Sequence, residues 1–175
     1  MNSLAALEIL DAEPHHMEAV RSIYGRYVLN ALCTFEEEVP TATQMLSRRA
    51  DVLRLGLPYL VAMVGSHVAG YAYAGAYRPR PAYRRTVENS VYVAEGMKGR
   101  GIGRALLAAL IERCSQAGLS QMVAVVGDSG NTGSIRLHES LGFEHVGVLR
   151  DVGFKFGRRV DTVLMQRPLC DVVSS

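Results

Sequence analysis

The chain has 175 residues, 49% hydrophobic and 21% charged, which suits one domain with a substantial core and excludes long disorder. Its formal net charge of +2 is too small to imply nucleic-acid or membrane binding, so any basic site must be local. No stretch approaches the roughly 20 apolar residues of a membrane span.

The first ten residues lack a basic segment and reach an acidic residue at Glu8, so no secretory signal is expected. Cys33, Cys114 and Cys170 are odd in number and widely spaced. They suit neither a disulfide framework nor a zinc site, and reduced thiols in a cytoplasmic protein without a metal are expected.

In chain order, residues 7–10 read as a short strand. Pro14 suits a first helical turn, and Val20, Ile23, Tyr24, Tyr27 and Ala31 follow at helical spacing. Pro40 and Thr41 open a second helix with Met45, Leu46 and Leu53 as its apolar positions, ended by Gly56 and Pro58. Residues 59–64 and 67–77 read as strands joined by a Gly65-Ser66 hairpin turn. A loop rich in Arg, Pro and Tyr covers 78–85, and a strand covers 86–94. After a Gly-rich turn, Leu106, Leu107, Leu110, Ile111 and Cys114 form one helical stripe, with Gly118 as terminator. Residues 122–126 suit a buried strand, and 131–141 a helix with Gly142 at its C-terminal cap. Two closing strands are expected at 144–150 and 155–166. The order is mixed α and β around one sheet. Long loops are needed only near Cys33 and Arg78, which marks both as functional candidates.

The most informative segment is Val91-Tyr92-Val93-Ala94-Glu95-Gly96-Met97-Lys98-Gly99-Arg100-Gly101-Ile102-Gly103-Arg104. A strand feeds a Gly-rich turn that opens a helix. Glycines let the backbone approach a phosphate, and free N–H groups at the positive end of the helix dipole bind it. Lys98, Arg100 and Arg104 add local positive charge. The turn is not a Walker loop, because no Gly-Lys-Ser/Thr follows at the required spacing. Gly99, Gly101 and Gly103 also have the wrong spacing for a dinucleotide fingerprint, and they follow an antiparallel hairpin.

Glu88 lies on the strand before this turn, between apolar Val87 and Val91. A carboxylate in such a cleft can have a raised pKa and act as a base, directly or through water. Arg78, Arg80, Arg84 and Arg85 concentrate positive charge around Tyr77 and Tyr83. Forked guanidinium groups suit carboxylate, phosphinate or sulfone oxygens; a solvated loop is the plainer reading.

Residues 98–103 resemble the pyrophosphate signature Arg/Gln-x-x-Gly-x-Gly/Ala of the GNAT superfamily of N-acetyltransferases, with Lys98 in place of Arg or Gln. Residues 131–143, Asn131-Thr132-Gly133-Ser134-Ile135-Arg136-Leu137-His138-Glu139-Ser140-Leu141-Gly142-Phe143, are similar to that family's second CoA-contacting helix. Thr86-Val87-Glu88-Asn89-Ser90-Val91-Tyr92-Val93, the loop from Arg78 to Tyr83, Arg136-Leu137-His138-Glu139 and Val152-Gly153-Phe154-Lys155-Phe156-Gly157 resemble one subfamily, the phosphinothricin and methionine sulfoximine or sulfone N-acetyltransferases. The likeness runs from about residue 7 to 169, leaving 170–175 as a tail of one domain over 1–175.

The resemblance implies an α/β fold with a mostly antiparallel twisted sheet, splayed in the middle and flanked by helices on both faces. It implies acetyl-CoA as cosubstrate and direct attack by a small amino-acid-like acceptor in a ternary complex. It gives Glu88 the role of base and His138 that of proton donor to the thiolate, or of a structural histidine. The backbone of Val91, Tyr92 and Val93 would pair with the pantetheine arm, with Val93 or a neighbour as oxyanion donor. Lys98, Gly99, Arg100, Gly101, Ile102, Gly103 and Arg104 would cradle the pyrophosphate, and Asn131 and Ser140 would contact the arm. Phe35, Arg78, Arg80 and Tyr83 would contact the acceptor. The resemblance also implies a homodimer, to which residues 160–169 could contribute. A protein or peptide acetyltransferase and a non-catalytic acetyl-CoA sensor stay open as alternatives.

Overall fold

The computed structural model describes residues 6–169; Cys170 and the tail lie outside them. The strands are β1 (Leu7–Asp11), β2 (Tyr59–Val64), β3 (His67–Ala76), β4 (Thr86–Val93), β5 (Gln121–Gly127), β6 (Glu144–Lys155) and β7 (Arg158–Pro168). The helices are α1 (Met17–Asn30), α2 (Ala42–Arg54), α3 (Ile102–Gln116) and α4 (Thr132–Glu139). Pro14 opens a 3-10 turn, Pro14–His16, that runs into α1.

One seven-stranded sheet has the order β1-β2-β3-β4-β5-β7-β6. Every neighbouring pair is antiparallel except β4 and β5. Those two pair only from Thr86↔Gln121 to Asn89↔Ala124, although β4 continues to Val93 and β5 to Gly127. The sheet therefore opens along its middle, as the resemblance implies.

Side chains two apart on a strand share a face. Tyr92 packs edge-on against Tyr24 and Tyr27 of α1, so Glu88, Ser90 and Tyr92 face the α1 side. On the other side, α3 presses on β3. A Cβ on Gly70 would lie 3.1 Å from Leu106 and 3.3 Å from Ile102. The expected stripe of α3 is fully realised, since Leu106, Leu107, Leu110, Ile111 and Cys114 are all buried. In α2 the buried positions are Met45 and Val52, whereas Leu46 and Leu53 are exposed. Its stripe is rotated one residue from the expected one. Thr41 caps this helix reciprocally with Gln44.

The closing hairpin corrects the expected strand bounds. Lys155 ends β6 rather than starting the next strand, and β6 runs through residues 151–154. Phe156 (φ 51°) and Gly157 (φ 71°) form a tight two-residue turn, with both φ angles positive as a type I′ turn requires. The break suggested near Val152 is a bulge. Asp151 has φ 57°, the register shifts between Leu149 and Gly153, and Asp161 accepts the Asp151 N–H at 2.9 Å. The hairpin also relocates the exposed apolar surface. β7 is an interior strand whose Val160, Val163 and Met165 are buried, whereas edge strand β6 exposes Val146, Val148, Leu149, Val152 and Phe154.

Candidate active site

The parting of β4 from β5 opens a cavity of about 590 Å³ between the Gly-rich turn and Glu88. At one end, Gly96, Gly99 and Gly101 all have φ between 74° and 78°, the left-handed region that a Cβ disfavours. Their chain reversal leads directly into α3, whose cap residue Gly101 has no side chain to satisfy the helix N-terminus. The first capping bond runs from Ala105 N to Gly101 O, and the N–H groups from Gly99 to Arg104 have no acceptor among the described residues. This is an array of donors at a positive helix end, built for an anion. Lys98 and Arg104 line the same end, with the Lys98 ammonium 4.9 Å from the Tyr27 ring centre. Gly103 lets α3 approach α4, since a Cβ there would lie 3.4 Å from Leu137.

Val91, Tyr92 and Val93 form the wall between cradle and Glu88. The Val93 carbonyl accepts the Tyr27 hydroxyl at 2.7 Å, and the Val93 N–H points to the same oxygen at 3.4 Å. A side chain from α1 thus meets backbone groups of β4 beyond the last residue paired with β5. Asn131 caps α4, its Oδ1 accepting the Ser134 N–H at 3.3 Å, and it lines the cavity.

At the far end stands Glu88, half-buried on the α1 face. Burial alone pushes its carboxyl above the ordinary carboxylate pKa; no neighbouring charge or hydrogen bond offsets it. Cys33, Thr34 and Phe35 also line the cavity, where Cys33 packs on Gly127 at the end of β5. Tyr24 bridges the Thr34 hydroxyl at 2.8 Å and Glu36 at 2.9 Å, and Arg48 forks onto the Glu36 carboxylate at 2.7 and 3.0 Å. Burial also raises the pKa of the Cys33 thiol, so it is held protonated.

His138 occupies the opposite face. It is buried, its Nδ1 donates to the Ser134 carbonyl at 2.7 Å, and its Nε2 lies 3.0 Å from Asn89 Oδ1. The Asn89 amide nitrogen in turn donates to the Val123 carbonyl at 3.2 Å. Burial lowers the imidazole pKa, against the Ser134 hydrogen bond that raises it. With Oδ1 toward the ring, both ring nitrogens must donate and the ring is charged. With the amide turned over, the ring is neutral but Val123 loses its donor. Glu88 and Asn89 are consecutive on β4, so Glu88 and His138 look to different faces of one branch point.

Not every expected residue lines the cavity. Arg100 and Ser140 lie outside it, the Ser140 hydroxyl donating to the Leu137 carbonyl at 2.7 Å. Arg78, Arg80 and Tyr83 sit on the loop that follows β3, next to the strand end where Gly75 pairs with Glu88. Arg78 stacks 5.1 Å from the Tyr77 ring centre and 5.7 Å from that of Tyr83. Arg84 and Arg85 are tied to the backbone carbonyls of Pro81 and Gly118. Sequence reasoning gave no role to Asn89, Tyr27 or Lys155. Asn89 had a signal, a polar residue at a buried strand position beside the candidate base. Tyr27 was visible only as part of a helical stripe.

A family model described as an acetyltransferase (GNAT) domain matches residues 9–164. The chain is 54% identical over 153 residues to the phosphinothricin N-acetyltransferase of Alcaligenes faecalis, covering 87% of this chain and 78% of that protein. It is 42% identical over 162 residues to the L-methionine sulfoximine/L-methionine sulfone acetyltransferase of Pseudomonas aeruginosa, covering 90% and 92%. A GNAT superfamily phosphinothricin acetyltransferase from Sinorhizobium meliloti, solved in complex with AcCoA, superposes with a TM-score of 0.90 at 42% identity, covering 93% of this chain and 88% of that one. The chain belongs to the GNAT acetyltransferase family and is an acetyl-CoA-dependent N-acetyltransferase.

Glu88 generates a stability prediction. Its folded pKa is raised, so its contribution to folding is present in acid and lost as pH rises through that pKa. Glu88→Gln removes this loss. The variant is expected to melt above wild type at pH 7–8, with the gap closing below about pH 4.3, the unfolded glutamate value. Melting curves across this range check it; a gap independent of pH contradicts a buried, ionising Glu88.

Proposed function

We propose that this enzyme acetylates the α-amino group of a small amino-acid-like acceptor such as phosphinothricin, methionine sulfoximine or methionine sulfone, by direct attack in a ternary complex. The observation that carries this reading is the unpartnered, half-buried Glu88 carboxylate at one end of a cavity whose other end is a phosphate cradle. Five residue steps along β4 separate Val93 from Glu88, about 17 Å at strand rise. That span suits an extended pantetheine arm laid on the open edge of β4. The names of the relatives supply the acceptor class.

Bound acetyl-CoA supplies an activated thioester. Glu88 takes the proton of the acceptor ammonium, directly or through water, and frees the amine to attack. As the C–N bond forms and the C–S bond breaks, His138 is the group assigned to protonate the departing sulfur. The arm displaces the Tyr27 hydroxyl from Val93, and backbone N–H groups of β4 between Val93 and Glu88 stabilise the carbonyl oxygen. The Lys98 to Arg104 turn holds the pyrophosphate, and Asn131 reaches the arm. Arg78, Arg80 and Tyr83 meet the acceptor's anionic end, and Phe35 its side chain. The protonated Cys33 has no base beside it, which favours direct attack over an acetyl-cysteine.

Gly101→Glu places a side chain and a negative charge in the cradle. It is expected to abolish the rise in melting temperature that acetyl-CoA gives the wild type; a shift that survives puts the phosphates elsewhere.

Turnover of the three named acceptors, followed by release of CoA, tests the acceptor class. Glu88→Gln should lower kcat by roughly 10²–10⁴-fold, and His138→Ala by less. Arg78→Ala should raise the acceptor KM more than it lowers kcat. Faster turnover of lysine or a polyamine than of all three would sink the anionic-acceptor reading.

The working form is a two-fold homodimer in the cytoplasm. Unpaired cysteines at positions 33 and 114 fit that compartment. The exposed apolar residues of edge strand β6 supply a surface for the second copy. Light scattering at micromolar concentration should give twice the chain mass, and a monomer mass overturns the dimer.

A further inference from the structure

Lys155 is 1% exposed, though a lysine side chain is normally charged. An ammonium taken out of water needs partners, and this one has them. Its Nζ donates to the Thr34 carbonyl at 2.7 Å and to the Ala31 carbonyl at 2.8 Å. The Phe156 ring centre lies 4.9 Å away. The two carbonyls belong to the irregular segment between α1 and α2. With no helix or sheet to satisfy them, they turn inward onto one cation, and the chain wraps around it.

The same segment is pressed down on either side. A Cβ on Gly127 would lie 2.7 Å from the Leu32 carbonyl oxygen and 3.1 Å from Cys33 Cα. A Cβ on Gly153 would lie 2.6 Å from the tip of the Phe35 ring. β5 and β6 thus each leave a bare backbone site for this loop, and Lys155 ties it down between them. The outcome is that Cys33, Thr34 and Phe35 line the cavity that also holds Glu88.

We propose that Lys155 is a positioning residue for the acceptor: by holding the carbonyls of Ala31 and Thr34 it shapes residues 33–35 into the wall of the acceptor pocket, and so sets acceptor affinity without touching either substrate. The proposal rests on the reading of Phe35 and its neighbours as the acceptor wall. Removing the ammonium leaves two inward carbonyls without a donor, and they recover hydration only by lifting the loop. The cradle at Gly99 to Arg104 belongs to a separate segment and keeps its donors.

Steady-state kinetics of Lys155→Met and Gly153→Ala, with an acceptor that the wild type turns over, test this. Lys155→Met should raise the acceptor KM by roughly 10- to 100-fold, the range for losing a charge-assisted hydrogen bond. Gly153→Ala displaces the Phe35 ring while leaving Lys155 in place, and should raise it several-fold. The KM for acetyl-CoA and the melting shift it induces should change by less than about two-fold, because uniform damage would not separate the two substrates. An acceptor KM unchanged in Lys155→Met, or an equal rise for both substrates, overturns the proposal. If Lys155→Met does not fold, Lys155→Arg takes its place: it keeps a cation but not the reach of the ammonium, and an unchanged acceptor KM there overturns the proposal. A wild type that acetylates only peptides removes the acceptor reading itself, and that result is in hand before either variant is made.

Discussion

β4 and β5 begin as partners and cease to be partners at Asn89 and Ala124. A strand edge inside a sheet normally has its N–H and C=O groups paired, because leaving them buried and unpaired is costly. Here the edge is kept open, and the surrounding structure manages the cost. Asn89 staples the last paired turn by donating to Val123, His138 backs Asn89, and Tyr27 covers the groups of Val93. Each of these side chains comes from a different element, so the opening is held by the whole domain rather than by one loop. The cavity, the cradle and the candidate base are all consequences of this one interruption.

The two faces of the sheet then divide the labour. Strand alternation sends Glu88, Ser90 and Tyr92 toward α1, and Asn89 and Val91 toward α3 and α4. A carboxyl on one face and an imidazole on the other can both reach a gap that passes between them. In an unbroken sheet they would be separated by the backbone layer. The loop at residues 31–41 closes the α1 side. It has no regular structure to fix it, so it is fixed by side chains: Lys155 from β6, Tyr24 from α1 and Arg48 from α2.

Much of this was legible in the sequence where the signal is local. The Gly-rich turn announces itself because three glycines with positive φ precede a helix start in one contiguous stretch. The apolar stripe of α3 and the Gly65-Ser66 hairpin are equally local, and both stand in the structure. What escaped was set by distance. The Phe156-Gly157 turn carries an aromatic residue where Asn or Asp is the usual sign, and the Asp151 bulge imitates a strand break. The rotation of α2 that buries Val52 instead of Leu53 is chosen by the tyrosines of the sheet below it, which no window of its own sequence contains. Glu88 and His138 could be named as candidates; that Asn89 holds His138 follows only from a contact across 49 residues of chain.

The Lys155 bonds span 124 and 121 residues of chain. Contacts this remote in sequence are costly in loop entropy and form late. On a ribosome, β4, the Gly-rich turn, α3, β5 and α4 all emerge before Lys155 does. The N–H array of the Gly-rich turn and α3 therefore emerges while residues 31–35 still lack their cation. Translation must reach the last hairpin before residues 31–35 acquire their cation and β5 acquires β7, its neighbour along its full length.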